Sequence, residues 1–258
     1  MEGKEKKVWV TGGALAKDAH VTVPQIGVTF YMTDSIYLDS TAIRFPDITI
    51  YDQLGNQGMF SGGVYHENFL DIKYDLRARA DNMLVMDLPA NQQSFFYGKV
   101  FGTGDVHIYG DEMDCQIDVN ARTESDTKFF LNINSASQAS KSNFISFVQP
   151  ETTSNYLLSL LQPKEKKVKS NKPESKMRLS LQGDVDPRTE INIKLGADDG
   201  IKGRGEGNMK LVYEYPSEHI QMQGSYTLQS GQFAFSLGNI VRRNFNIREG
   251  SKITWNSD

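Results

Sequence analysis

The chain has 258 residues, 38% of them hydrophobic, with a mean hydropathy of −0.47 and a net charge of −4. That length is enough to bury a core as one or two domains, and the acidic balance (pI about 5.6) gives no electrostatic footprint for nucleic acid. Cys115 is the single cysteine, which excludes an intramolecular disulfide and the paired-cysteine zinc patterns.

The N-terminus, Met1–Gly13, lacks the apolar stretch of roughly 7–15 residues that marks a secretion signal, and no run reaches the about 18 apolar residues of a membrane helix. From there, strand character dominates. Runs at His20–Val23, Gly27–Met32, Ile36–Leu38 and Ile48–Tyr51 open a theme that Gln57–Ala80 states in full: an alternating apolar and polar run, a short turn, and a second alternating run. Gly104–Ala121, Lys176–Ala197 and Gly207–Thr227 repeat it. The turns between paired runs, Tyr65–Asn68, Gly110–Asp114, Gly183–Arg188 and Tyr215–Glu218, hold the Gly, Pro, Asp and Asn that tight reversals need, so each copy is expected to be an antiparallel hairpin.

Alternation fixes which side chains share a face. Ile72, Tyr74 and Leu76 oppose Lys73, Asp75 and Arg77; Leu179 and Leu181 oppose Arg178, Ser180 and Gln182; Ile191, Ile193 and Leu195 oppose Asn192, Lys194 and Gly196. Ile117 and Val119, Ile220 and Met222, and Phe233 and Phe235 continue the apolar phase. These fourteen residues are the candidate functional surface. Successive units of one kind make an elongated, quasi-one-dimensional fold that offers a long face instead of a pocket. Alternation alone leaves a sandwich core, a membrane barrel and an open trough as alternatives.

Two pieces depart from the strand period. Ser142–Val148 and Asn155–Leu161 place apolar residues at helical spacing, and Pro163–Lys176, with six Lys and two Glu, reads as a mobile linker. The expected organisation is therefore a β part over residues 1–148, a helical stub with lysine-rich linker over 149–176, and a second β part over 177–258.

Catalytic motifs are not apparent. His20, His66, His107 and His219 are scattered, and Cys115 has no histidine in its own hairpin turn. Gly203-Arg-Gly-Glu-Gly207 precedes a strand, where a dinucleotide site needs a helix. Asp184, Asp186, Asp198 and Asp199 lack the spacing of a calcium loop. No catalytic residue, cofactor or metal is expected.

Toward the C-terminus, Gly231–Gly238, Arg243–Gly250 and Ile253-Thr-Trp-Asn-Ser-Asp258 resemble the signature of the TamB family's C-terminal domain, and Ala42–Tyr51 and Ser142–Val148 are similar to its Bacteroidetes members. Gly231, Gly250, Ile253, Trp255 and Asp258 carry the likeness, with Ser257 where the family usually has Gly. The resemblance implies a non-enzymatic protein of the AsmA-like, bridge-type lipid transfer group. It implies an all-β, taco-like, curved open groove of successive hairpins with an apolar interior and one short helical insertion.

It also implies a periplasmic place between inner and outer membranes, with phospholipid or another amphiphile as cargo and an outer-membrane barrel of the assembly machinery as partner. Nucleic acid is not expected as a partner. The membrane anchor and the final strands of such proteins would lie outside this chain, which is expected to be a piece of a longer protein. The fourteen apolar residues would then line the groove. The alternative is a scaffold that assembles outer-membrane proteins by strand addition.

Overall fold

A computed structural model describes residues 11–67, 70–90, 96–132, 175–196, 199–217, 219–237 and 241–256. All regular structure among them is β, in one sheet of fourteen strands. The strands are β1 (Gly12–Val23), β2 (Val28–Leu38), β3 (Ala42–Tyr51), β4 (Gln57–Glu67), β5 (Leu70–Leu88), β6 (Phe96–Asp111), β7 (Asp114–Thr123) and β8 (Lys128–Asn132). They continue as β9 (Lys176–Val185), β10 (Glu190–Lys194), β11 (Gly200–Tyr215), β12 (His219–Leu237), β13 (Val241–Ile247) and β14 (Ser251–Trp255). The expectation of an all-β fold holds. The helical pieces at Ser142–Val148 and Asn155–Leu161 lie outside the described residues, as does most of the lysine-rich segment.

From β1 to β7 each strand pairs antiparallel with the next, as runs joined by short turns should. Beyond β7 the order changes. β9 lies parallel to β7, and β10 lies parallel to β8, so the chain on either side of residues 133–174 is joined in the same sheet. Where an open trough of successive hairpins was expected, pairing closes a ring through β6, β7, β9, β11, β10 and β8, to which the other strands attach.

Register explains how that ring closes. At Gly98 and Lys99, β6 pairs with Leu88 and Asp87 on one edge and with Phe129 and Lys128 of β8 on the other. From Gly102 to Gly110 that second edge belongs to β7. β7 and β8 therefore lie end to end along β6, interrupted by residues 124–127. In the same way β9 and β10 lie end to end along β11, both antiparallel to it, interrupted by residues 186–189. This corrects the hairpin expected for Lys176–Ala197: its Asp-Pro-rich segment interrupts a strand without reversing it. β14 and β13 likewise share one edge of β12.

These interruptions form a line across the sheet. β5 bulges between Ala80 and Met83 and again between Leu84 and Met86, and the β11–β12 register slips between Arg204 and Gly205, opposite Gln229. A bulge leaves a backbone N–H without its ladder partner. Threonine hydroxyls accept from these donors: Thr103 from Asn82 N–H at 2.9 Å, Thr127 from Phe101 N–H at 3.0 Å, and Thr123 from Asp186 N–H at 2.9 Å. Thr33 does the same for the β1 bulge at Asp18, at 3.0 Å. Asn82, Asp126 and Asp18 supply the positive φ these kinks require.

A second device ties the β3–β4 turn to β5. The Asp52 carboxylate, 2% exposed, accepts from the N–H groups of Leu54 (2.8 Å), Asn56 (2.9 Å) and Leu84 (2.6 Å) and from Asn56 Nδ2 (2.8 Å). Val28, Ile48, Met83 and Leu84 are the largest fully buried apolar side chains of the N-terminal half.

Candidate functional site

Paired residues in a sheet point to the same side, so register converts the sequence alternation into rows. One row runs Leu76, Ile108, Ile117, Leu179, Tyr213 across β5, β6, β7, β9 and β11, reaching the position of Ile220 on β12. The next runs Ala78, Val106, Val119, Leu181, Leu211, Met222 over the same six strands. Neither row contains a charged residue. Tyr74 begins a third, with Cys115, Met177 and Tyr215, and Ile72 stands two residues before it on the same side of β5. On β5, β6, β7, β9 and β11 the side chains of these rows are partly buried, as is Met222.

Past the line of interruptions the same face continues as Phe96, Leu131, Ile193, Ile201, Phe233, Phe245. A further row holds Phe129, Ile191, Gly203, Gly231 and Ile247. Here burial differs. Ile191 and Ile193 belong to a core cluster with Leu131, Tyr226 and Leu228, against which Ile201, Ile247, Ile253 and Trp255 pack. Leu195, just past β10, and Phe235 are exposed, and Phe233 lies beside both Phe235 and Phe245. Of the fourteen candidates, Ile191 and Ile193 lie in a packed seam, Leu195 and Phe235 are exposed, and those on β5, β7 and β9 form a partly accessible wall.

Sequence reasoning left the seam's centre out of its candidates. Tyr226 and Leu228 are 1% and 2% exposed. The space they occupy is created by glycine. A Cβ on Gly203 would collide with Leu228 Cδ2, and one on Gly205 or Gly207 with the carbonyls of Thr227 or Ser225. The Gly-Arg-Gly-Glu-Gly run is therefore a packing floor. The Tyr226 hydroxyl finds no hydrogen-bond partner among the described residues, and burial pushes its pKa up to about 12.

The opposite face is polar. Arg79 pairs with Asp105 at 2.7 Å and His107 with Asp75 at 2.9 Å, while the Tyr109 hydroxyl donates to Asp118 at 3.2 Å. The His107 hydrogen bond, assisted by Arg77, holds the Asp75 carboxyl below its ordinary range. On the apolar side, burial raises the Tyr74 phenol, aided by the neighbouring Cys115 thiol, while its hydroxyl donates to the Asp111 carbonyl at 3.1 Å. Among the described residues no group of His, Cys, Asp and Glu gathers to hold a metal, and no helix is long and apolar enough to cross a membrane.

The C-terminal phrase takes its place in the seam. Ile253 pairs with Tyr226 and Trp255 with Gly224, whose φ of +136° brings the backbone beneath the indole where a Cβ would strike Asn208 and Met209. Gly250 (φ +84°) turns β13 into β14 and donates its N–H to the Leu228 carbonyl at 2.8 Å, and Gly231 lies under Leu228 Cδ2. Asp258 is outside the described residues.

The TamB C-terminal domain family matches residues 47–258. The chain belongs to the TamB family. Its members are envelope proteins, not enzymes. No curated protein and no solved structure matches the chain. Gly231, Gly250, Ile253 and Trp255 build and cover the packed seam of this TamB domain.

Proposed function

We propose that the partly accessible apolar face of this TamB domain shields acyl chains of phospholipid as part of a carrier that works in the periplasm between inner and outer membranes. The observation that carries the reading is the pair of uncharged rows from Leu76 and Ala78 on β5 to the positions of Ile220 and Met222 on β12. Six neighbouring strands about 4.8 Å apart make a strip some 24 Å long, comparable to an extended acyl chain.

The energetics suit transport. An acyl chain of about fifteen methylenes costs on the order of 12 kcal/mol to expose to water, at roughly 0.8 kcal/mol each. A wall of similar side chains offsets that cost at every step without a deep local trap. The charged groups stay on the other face, where Arg79 pairs with Asp105 and His107 shares a hydrogen bond with Asp75. Phospholipid is expected in organic extracts of the purified protein, detected by mass spectrometry in amounts comparable to the protein; extracts free of lipid contradict the reading.

A second reading rests on a different feature. β1 pairs only with β2 among the described residues, and its side chains are exposed along nearly its whole length. Such an edge supports strand addition to an outer-membrane protein or to a barrel partner of the assembly machinery. It predicts an activity that survives substitutions on the apolar face.

A further inference from the structure

Along the apolar face, burial is deepest just past the line of interruptions, on β8 and β10 and against β12, while Phe96 and Phe245 at the two ends of that row are exposed. Leu179 and Leu181 are partly exposed, but Leu131, Ile193, Tyr226 and Leu228 retain 8%, 5%, 1% and 2% of their surface. The depression that the β11 glycines leave is filled by the protein itself, because Leu228 Cδ2 sits over both Gly203 and Gly231. Tyr226, flanked by Ile253 on β14 and by Gly207 on β11, fills the adjoining space. These side chains stand where an acyl chain following the face would go.

We infer that the Tyr226–Leu228 pair is a built-in stop in the acyl path. The inference rests on the acyl-shielding reading above and adds its limit: lipid occupies the wall formed by β5, β6, β7 and β9 and does not advance onto β8 and β10. The Tyr226 hydroxyl, without a hydrogen-bond partner among the described residues, gives the stop its second mark. A buried phenol without an acceptor is a polar cost held in place by packing.

The experiment uses the whole chain and a phospholipid carrying a diazirine midway along one acyl chain, with adducts located by peptide mass spectrometry after illumination. In the unaltered protein, adducts are expected on β5, β7 and β9, with about tenfold fewer on β8 and β10. Tyr226→Ala extends them onto β8 and β10, whereas Tyr226→Phe, which keeps the ring, does not. Equal labelling of β9 and β10 in the unaltered protein overturns the stop and leaves the carrier reading standing. Absence of adducts from the apolar face altogether removes both. The map of the unaltered protein decides the matter even if Tyr226→Ala does not fold.

Discussion

Replacing Leu228 with alanine is expected to destabilise the fold by about 2–5 kcal/mol, the range for large-to-small changes in a packed core. Leu228 is 2% exposed and lies over Gly203 and Gly231, glycines that cannot rise to fill the space it vacates. The β11 backbone is fixed on both edges by β12 and by β9 and β10, so local collapse is limited. Leu181→Ala, on the partly accessible wall of the same face, should cost markedly less, since part of its surface already meets solvent. Urea unfolding of the two variants checks this. Equal losses would show that the seam and the wall are one core, and the distinction between carrying surface and packed stop would fall.

Removing the Asp52 carboxylate has the other large expected effect. Asp52→Ala strands the N–H of Leu84, which is fully buried, and removes the acceptor of the more exposed Leu54 and Asn56 N–H groups. An unsatisfied buried donor costs about 1–3 kcal/mol, and a loss toward the upper end of that range is expected. Burial alone would raise the pKa of this carboxyl, but hydrogen bonds from Leu84, Asn56 and Leu54 outweigh it and lower it. A folded-state pKa below the unfolded value means that the contribution is present at neutral pH and is lost as pH falls through the carboxylate range.

Asp186, held down to about 2 chiefly by Arg188, acts in the same direction at the β9–β10 interruption. Stability should therefore decline between about pH 5 and pH 2, less steeply in Asp52→Asn than in the unaltered protein. Identical slopes would mean that Asp52 does not titrate with folding.

How much of this could be read in the sequence follows from what alternation encodes. A period of two reports the face of each residue, and the register agrees for Tyr74, Leu76, Ile117, Val119, Leu179, Leu181, Ile191 and Ile193. It reports nothing about which strand is the neighbour. The parallel pairings of β7 with β9 and β8 with β10 bring together segments separated by residues 133–174, and no local pattern predicts them.

The Gly183–Arg188 segment has the composition of a reversal because an interruption of a strand and a hairpin turn need the same backbone freedom. Its neighbours decide between them: Thr123 and Thr189, their hydroxyls 2.6 Å apart, and the Asp186 N–H donated to Thr123 hold the two interruptions side by side. One signal was present and went unused. The apolar phase of β12 runs through even numbers at Met222, Tyr226 and Leu228 and odd numbers at Phe233 and Phe235, and a change of phase within a strand marks a bulge. It would have drawn attention to Leu228, the last residue of the first phase.

The same phase logic separates the two readings of function. Leu181 and Gln182 are adjacent on β9 and point to opposite sides, paired with Val119 and Leu211 in one case and with Asn120 and Lys210 in the other. The most direct test compares Leu181→Asn with Gln182→Asn in transfer of fluorescent phospholipid between donor and acceptor vesicles. If the apolar face carries acyl chains, Leu181→Asn slows transfer severalfold and Gln182→Asn leaves it unchanged; equal rates in both variants and the unaltered protein would contradict that account.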